Sequence, residues 1–213
     1  QGFDVYNDTF DGEKGKAQFI AQRIGDETTR HALKWLQANR NNKNFMLVHF
    51  YDPHDDYAPP SPYDKRFSHP YDGEIAFTDY CIGQILDELK ALDLYGSSLI
   101  IVAGDHGEMM GEHGESTHAF YIYNNVLRVP LIIKPAGQRT PFRVSDNTSL
   151  IDITPTVLAQ SGIAIPSDMQ GINLSDYLVG QDRHAPDRFI FSESLTPTKY
   201  NGNSLLSVMN DRW

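Results

Sequence analysis

Two stretches of the chain repeat apolar side chains at intervals of three and four residues, which is the period of one helix face. The first covers residues 28–39 and ends at a polar segment rich in asparagine. The second covers residues 75–92 and is followed by Gly96, which we expect to close it. Both stretches are therefore predicted to be amphipathic helices.

A third helix is predicted over residues 152–160. Thr154 stands before Pro155, an arrangement typical of an N-cap followed by a first helical turn. Gly162 follows the last apolar position and is suited to end the helix, because glycine adopts the left-handed conformation of many helix C-termini.

Short apolar runs rich in β-branched residues alternate with these helices, and they are predicted to be strands. The run at 98–103 is uninterrupted, as expected of a strand covered on both faces. Such alternation predicts an α/β fold with a mixed, mostly parallel sheet and helices on both faces. The four predicted strands are residues 45–51, 98–103, 129–133 and 189–191.

Composition narrows the classes of partner. The chain has 213 residues and a formal net charge of −10, so it lacks the clustered basic surface that nucleic-acid binding requires. No apolar run approaches the roughly 20 residues of a membrane span, and the first residues lack the pattern of a signal peptide. An acidic chain would need a metal ion to hold an anionic substrate. Neither the compartment nor the oligomeric state follows from these features.

Acidic residues and histidines follow two of the predicted strands. The strand at 45–51 leads into Asp52-Pro53-His54, and the strand at 98–103 leads into Asp105 and His106. Ligands of open α/β sheets bind beyond the carboxyl ends of strands, so both segments can face one cleft. Carboxylate with imidazole suits zinc, manganese or iron, whereas a site richer in oxygen ligands suits calcium or magnesium.

These residues can also be interpreted as structural rather than functional. An Asp-His pair after a strand is also common in turns and helix caps, and His54 is also explained as a solvated loop residue. His113 is interpreted as a residue that stabilises its loop. The single cysteine, Cys81, lies within the second predicted helix and is interpreted as a packed side chain, which makes it unsuited to be a nucleophile.

The segment from Ala103 to His118 contains Gly-Asp-His-Gly followed by Gly-Glu-His-Gly, and Leu-Arg-Val-Pro-Leu ends at Leu131. This string resembles the signature of the sulfatase family in the alkaline phosphatase superfamily. The resemblance extends back to Gly2 and forward to Glu193. It implies an alkaline-phosphatase-like sheet that is incomplete at both ends, and one partial catalytic domain over residues 1–213. Within it, residues 1–14 are an irregular lead-in, and residues 205–213 begin the smaller C-terminal subdomain.

The resemblance also implies roles for individual residues. Asp105 and His106 correspond to metal ligands, and His54 and His118 to catalytic residues that contact the ester. The implied ion is calcium or magnesium, with manganese and zinc as alternatives. The remaining ligands and the nucleophile are expected in a segment before residue 1, because no Cys-x-Pro-x-Arg or equivalent occurs in this chain. This chain alone is therefore expected to be inactive.

The implied reaction is hydrolysis of the sulfate ester of a small anionic substrate. Many sulfatases have a lysine where this chain has His118, a form associated with phosphate esters and an unmodified nucleophile, and Ala119 replaces the glycine that usually follows. Hydrolysis or transfer of phosphate mono- and diesters is therefore the first alternative. A noncatalytic module that binds a metal or an anion is the second.

Overall fold

The computed structural model describes residues 2–9, 23–137, 140–179 and 188–210. The chain divides into two compact units, residues 1–95 and 96–213. The described residues form the helices α1 (Gly25–Asn39), α2 (Pro70–Ala91), α3 (Asn124–Leu127), α4 (Ile153–Gln160) and α5 (Ser175–Leu178). Their strands are β1 (Ile100–Ala103), β2 (Leu131–Lys134), β3 (Ile190–Ser194) and β4 (Leu205–Met209).

The first unit is built on the contact between α1 and α2. Each helix buries one stripe of side chains at the spacing that the sequence predicts, and the buried stripe excludes water from the space between them. The buried positions of these two stripes are Thr29, Ala32 and Leu36 on α1, and Phe77, Cys81, Ile85 and Leu89 on α2.

The ends of α2 differ from the prediction. The helix begins at Pro70, because the side chain of His69 accepts a hydrogen bond from a backbone N–H of the first turn. It ends at Ala91, and Asp93 then adopts a left-handed conformation with φ of 57°. Aspartate tolerates that conformation better than most residues, so the chain leaves the helix before Gly96 and the predicted stop was wrong.

The segment predicted as a strand at 45–51 forms no ladder with any other segment in the described part of the chain. Its side chains nevertheless alternate in exposure, and Phe45 and Leu47 are 64% and 72% exposed. The apolar run indicated an extended segment, but a sheet also requires a second strand, which the run itself does not specify. The predicted strand was therefore wrong as a paired element.

In the second unit β1 pairs with β2, and the pairing is antiparallel from Ile100 opposite Lys134 to Ala103 opposite Leu131. A parallel pairing needs a crossover connection, usually a long helix. The connection here, residues 104–130, contains a 3-10 turn at 112–114 and the one-turn helix α3 but no long helix, and the chain turns back beside β1. The prediction of a mostly parallel sheet is corrected to two small antiparallel sheets within the described residues.

The second sheet pairs β3 with β4, from Ile190 opposite Met209 to Ser194 opposite Leu205. The strand predicted at 189–191 is thus confirmed and extends further. The predicted C-terminal start at 205–213 coincides with β4, although residues 211–213 lie outside the described residues. One face of this sheet is exposed, with Phe191 at 78% and Leu206 at 74%.

Helix α4 confirms the prediction for residues 152–160 and its stop. The N–H of Gly162 donates to Ala159 O at 3.0 Å, and the N–H of Ile163 donates to Leu158 O at 2.9 Å. Gly162 has φ of 70°, which glycine adopts without steric cost. The predicted cap at Thr154 was wrong, because a 3-10 turn at 150–152 comes first and is held by a capping box.

Asp152 holds three segments of the second unit together. Its side chain is fully buried and accepts hydrogen bonds from the N–H groups of Ser149 and Ile172, both at 2.8 Å. The Arg188 guanidinium donates to both carboxylate oxygens, at 2.5 and 2.8 Å, and the pairing raises the pKa of Arg188. Paired and hydrogen-bonded in this way, the buried carboxylate is satisfied.

Candidate active site

Most of the predicted site residues lie in the connection between β1 and β2, residues 104–130, which we call the site loop. Its two ends meet, because the N–H of Gly104 donates to Pro130 O at 3.1 Å. The N–H of Gly107 donates to Val126 O at 2.7 Å, and the side chains of Val126 and Met109 are buried. The loop is therefore anchored at its base and at α3.

Gly107 is needed for this close packing. A Cβ atom added at Gly107 would lie 2.0 Å from the backbone oxygen of Asn125, far inside contact distance. Glycine is the one residue that allows the chain to approach α3 so closely. The position of the preceding pair, Asp105 and His106, depends on this approach.

Asp105 and His106 place two possible metal-ligand atoms close to each other. The backbone N–H of His106 donates to Asp105 Oδ1 at 2.9 Å. His106 Nδ1 lies 2.9 Å from Gly107 O, and since a carbonyl oxygen accepts only, Nδ1 carries the proton and Nε2 keeps its lone pair. His106 Nε2 lies 3.9 Å from Asp105 Oδ2. Two such atoms fit one ion, because metal–ligand bonds are about 2.0–2.6 Å long.

The hydrogen bond that His106 makes through its other ring nitrogen is a second feature that fits a metal site. A metal-binding histidine commonly donates its other ring N–H to a carbonyl oxygen, as His106 does to Gly107. Two ligands do not complete a site, however. Among the described residues, no group of three or more His, Cys, Asp or Glu side chains is arranged to hold an ion.

His118 is oriented by Glu108. Its Nδ1 lies 3.0 and 3.2 Å from the two carboxylate oxygens of Glu108, whose side chain is only 6% exposed. The carboxylate fixes the ring in the tautomer protonated at Nδ1. Glu108 was missed by the sequence analysis, although a glutamate just after the Asp-His-Gly string was a usable signal.

The two histidines of the site loop lie against each other. The ring centroids of His106 and His118 are 4.0 Å apart, with the planes inclined by 28°. The structure therefore brings together three of the four predicted site residues, Asp105, His106 and His118, in one part of the second unit. His54 belongs to the first unit.

His54 sits in a loop that a buried glutamate of α2 holds in place. Glu74 Oε2 accepts the backbone N–H of His54 at 3.0 Å, and Oε1 accepts the N–H of Ala58 at 2.7 Å. Burial raises the pKa of Glu74. The His54 ring lies 4.4 Å from the Tyr51 ring, and its Nδ1 donates to Asp55 O at 2.6 Å. Glu74 is thus a second residue that the sequence analysis missed.

Asp52 ties the same loop to both helices of the first unit. Its Oδ2 accepts the N–H of Gly25 at the start of α1 at 2.7 Å, and its backbone oxygen accepts the hydroxyl of Thr78 at 3.1 Å. Burial also raises the pKa of Asp52. Cys81 is fully buried, and burial raises the pKa of its thiol, so it is the packed side chain that the sequence indicates.

Two residues after the Asp-His pair have structural roles. The ring of His113 stacks on Tyr123 at 4.0 Å, so it stabilises the site loop as expected. Ala119 adopts a left-handed conformation with φ of 77°, which explains why a glycine suits this position. The hydroxyl of Ser194 donates to the backbone oxygens of Ala119 and Phe120, at 2.7 and 3.1 Å, and holds the turn.

Comparison with known proteins places this chain in a family. The family model described as Sulfatase matches residues 4–163. The chain belongs to the sulfatase family. It is 36% identical over 99 residues to arylsulfatase K of Mus musculus. These aligned residues cover 46% of this chain and 18% of the relative. It is 27% identical over 194 residues to steryl-sulfatase of Rattus norvegicus, covering 84% of this chain and 32% of the relative. The chain thus spans at most about a third of these two sulfatases.

Solved structures show the same fold. The phosphonate monoester hydrolase of Silicibacter pomeroyi matches with a TM-score of 0.73 and 19% identity, over 89% of this chain and 55% of that one. A structure in complex with its substrate, D-glucosamine-2-N,6-O-disulfate, matches with a TM-score of 0.53 and 23% identity, over 66% and 29%. The fold is therefore that of sulfatases and phosphonate hydrolases. No helix among the described residues of this sulfatase-family chain has the length and apolar character of a membrane span.

Proposed function

We propose that this chain supplies two metal ligands and two catalytic imidazoles to a hydrolase of sulfate esters. The observation that carries the proposal is the arrangement of His118, whose ring contacts the buried Glu108 carboxylate through Nδ1 and stacks on the His106 ring. A carboxylate-oriented imidazole beside an Asp-His pair is suited to donate a proton near a bound anion. Membership of the sulfatase family supports the same reaction.

Asp105 and His106 are the proposed ligands of a divalent ion, calcium or magnesium by preference, with manganese and zinc as alternatives. When bound, such an ion offsets the negative charge of the ester oxygens and so lowers the repulsion that a nucleophile meets. Asp105 contributes charge, and its side chain is 77% exposed. The hydrogen bond from His106 Nδ1 to Gly107 keeps the ring orientation that presents Nε2.

His118 is proposed to protonate the departing alcohol oxygen. The ring that acts as the acid carries a proton on both nitrogens: Glu108 accepts a hydrogen bond from Nδ1–H, and the opposite nitrogen, Nε2, faces away from the carboxylate and carries the proton that is transferred. His54 is proposed to contact the same ester group. Its ring is half-buried and its backbone is held by Glu74, which would limit the entropy lost on binding.

The nucleophile is proposed to come from a part of the protein that precedes residue 1. Within the chain the one thiol, Cys81, is buried in the core of the first unit, where a substrate cannot reach it. The substrate is proposed to be a small anionic ester. The sulfated glucosamine bound in a related fold supports a sulfate ester, and the phosphonate monoester hydrolase supports phosphorus esters as the alternative.

The test compares the full-length protein with the chain of residues 1–213. We expect the full-length protein to hydrolyse 4-nitrophenyl sulfate in a metal-dependent manner, and Asp105→Ala to abolish that activity. The matched control, Asp168→Asn, removes an exposed carboxylate of the same unit and should leave the rate unchanged. The chain alone should give a rate close to background, because a catalytic unit without its nucleophile loses most of its effect.

Three outcomes would contradict this proposal. Faster hydrolysis of a phosphate mono- or diester than of the sulfate would favour the alternative reaction. Metal binding by the full-length protein without turnover of any ester would favour a noncatalytic module. Turnover by residues 1–213 alone, lost in Asp105→Ala, would place the nucleophile within this chain.

A further inference from the structure

Five aromatic side chains of the second unit form a continuous series of ring contacts. His113 stacks on Tyr123 with centroids 4.0 Å apart, Tyr123 contacts Tyr121 at 5.5 Å, and Tyr121 contacts Phe120 at 5.0 Å. Phe120 then contacts Tyr200 at 5.8 Å. We call this series the aromatic strip. Its tyrosines are exposed, Tyr121 by 36%, Tyr123 by 37% and Tyr200 by 71%.

The aromatic strip borders the candidate site. The stack of His113 on Tyr123 closes residues 113–123 into a loop, and His118 lies near its midpoint. Tyr121 is three residues from His118, and three residues of extended chain span at most about 11 Å. A substrate whose ester lies at His118 would therefore place its alcohol portion within reach of these rings.

The rings are held before any ligand arrives. The Ser194 hydroxyl fixes the backbone oxygens of Ala119 and Phe120, and the stack on His113 fixes Tyr123. A site whose side chains are ordered in advance loses little conformational entropy on binding. Exposed apolar rings otherwise cost free energy in water, and contiguous exposed patches commonly mark binding sites.

The chemistry of the strip favours one class of ligand. Four of its five side chains, the three tyrosines and the histidine, combine an apolar face with a polar edge. A sugar ring has the complementary surface, with C–H groups on its face and hydroxyls at its rim. An alkyl chain would use only the faces and would gain nothing from the polar edges, whereas sugar hydroxyls could hydrogen-bond to them.

We propose that the aromatic strip binds the pyranose ring of the alcohol portion of the substrate, and so selects sulfated sugars over simple alkyl sulfates. This inference rests on the proposed function. Tyr121 and Tyr123 provide stacking surface next to His118, and Tyr200 extends the strip away from it. The strip thus acts as the specificity surface of the site.

The test uses the full-length protein with glucose 6-sulfate and ethyl sulfate, two primary esters that differ in the sugar ring. We expect Tyr121→Ala and Tyr123→Ala each to lower the ratio of kcat/KM for glucose 6-sulfate to that for ethyl sulfate by about tenfold. Tyr200→Ala, at a highly exposed position that tolerates truncation, should lower it less. The control Tyr6→Ala removes a tyrosine that is 75% exposed in the first unit and should leave the ratio unchanged.

A binding measurement separates failure of this inference from failure of the proposed function. Saturation-transfer NMR with methyl glucoside should detect contacts that Tyr121→Ala removes and Tyr6→Ala retains. If neither ester is hydrolysed but these contacts are seen, the proposed function fails and the strip stands. Absence of contacts in the unsubstituted protein, or equal loss of activity on both esters in the tyrosine variants, would overturn the inference. So would a fall in thermal stability without a change in the ratio.

Discussion

His118 Nδ1 lies 3.0 Å from Oε2 of Glu108, and the Glu108 side chain is almost completely buried. A buried carboxylate that accepts a ring N–H selects one tautomer of the imidazole. The orientation of His118 is therefore set by a partner that is almost completely shielded from solvent. This relationship gives the first prediction.

Glu108→Ala should lower kcat of the full-length protein by about 10²-fold, the contribution typical of one positioned acid or base, with a smaller change in KM. Glu108→Gln keeps one acceptor oxygen and should retain part of the activity. The ¹⁵N shifts of the His118 ring should report loss of the Nδ1-protonated tautomer in Glu108→Ala. Retention of that tautomer would show that Glu108 does not position the ring. Asp87→Asn, an exposed carboxylate on α2, serves as the control.

Ala119→Gly should stabilise the protein. Ala119 has φ of 77°, and a left-handed conformation costs a residue with a side chain about 1–2 kcal/mol. Part of the gain is lost to the greater freedom of glycine in the unfolded chain, so the free energy of unfolding should rise by about 0.5–1 kcal/mol. Urea denaturation would measure it. Ala38→Gly, at an exposed position of helix α1, should change stability in the opposite direction.

Gly107→Ala should destabilise the protein and move the Asp105–His106 pair, because the added methyl group meets the backbone of α3. Overpacking of this kind costs about 1–3 kcal/mol or more. The matched control is Gly83→Ala, within helix α2, where an added Cβ meets nothing within 4 Å. That change should raise the free energy of unfolding by about 0.5–1 kcal/mol. Equal effects of the two substitutions would contradict the packing described for the site loop.

Glu74→Gln should alter the pH dependence of stability. Burial raises the pKa of Glu74 in the folded state, so its favourable contribution is fully present below the unfolded pKa and is lost as the pH rises through the folded pKa. Lowering the pH from 7 to 5 should therefore increase the stability of the unsubstituted protein relative to Glu74→Gln. Chemical denaturation at both pH values tests this, with Asp79→Asn on the same helix as the control. A difference that does not vary with pH would exclude Glu74 as the titrating group.

At neutral pH the same substitution should also loosen the loop of His54. Glu74 accepts two backbone N–H groups, whereas glutamine would turn an NH₂ group toward one of them. Leaving a buried donor unsatisfied costs about 1–3 kcal/mol. Amide hydrogen exchange at His54 and Ala58 should accelerate in Glu74→Gln, and unchanged exchange would show that the loop is held by other contacts.

Residues 1–213 alone should bind divalent ions weakly or not at all. Asp105 and His106 supply two donors, and a stable site needs about four or more. Calorimetric titration with calcium, magnesium, manganese and zinc should show little heat with the chain and tight binding with the full-length protein. Tight binding to the chain that is lost in Asp105→Ala would mean that the site is complete within it.

The helices were predictable because their information is local. The periodic apolar positions of α1 and α2 and the glycine after α4 each act within a few residues, so the sequence indicates them directly. The direction of strand pairing is not local, and the antiparallel return from β1 to β2 was missed. Boundaries failed where a neighbouring side chain decided them, as His69 does at the start of α2.

The sequence indicated which residues to expect at the candidate site but not the side chains that support them. Asp105, His106 and His118 are recognisable through the sulfatase-like string, and the structure brings them together. Glu108 and Glu74 act through hydrogen bonds to a ring or a backbone N–H, and a carboxylate buried for that purpose looks in sequence like one that faces water. That His54 shares a cleft with Asp105 stays a prediction, to be tested in the full-length protein by a spacing below about 12 Å.

The pairing of Ala103 with Leu131 gives the site loop two ends fixed side by side. Asp105, His106, Glu108 and His118 all lie between those ends, in one continuous segment that we call the cassette. Replacing residues 104–130 by the equivalent segment of another sulfatase would transfer these four side chains in one exchange. Ser194 and Tyr200, which contact the cassette from outside, define what a recipient chain must provide. The buried side chains of Met109 and Val126 travel with the cassette, so a replacement segment must also match the core around them.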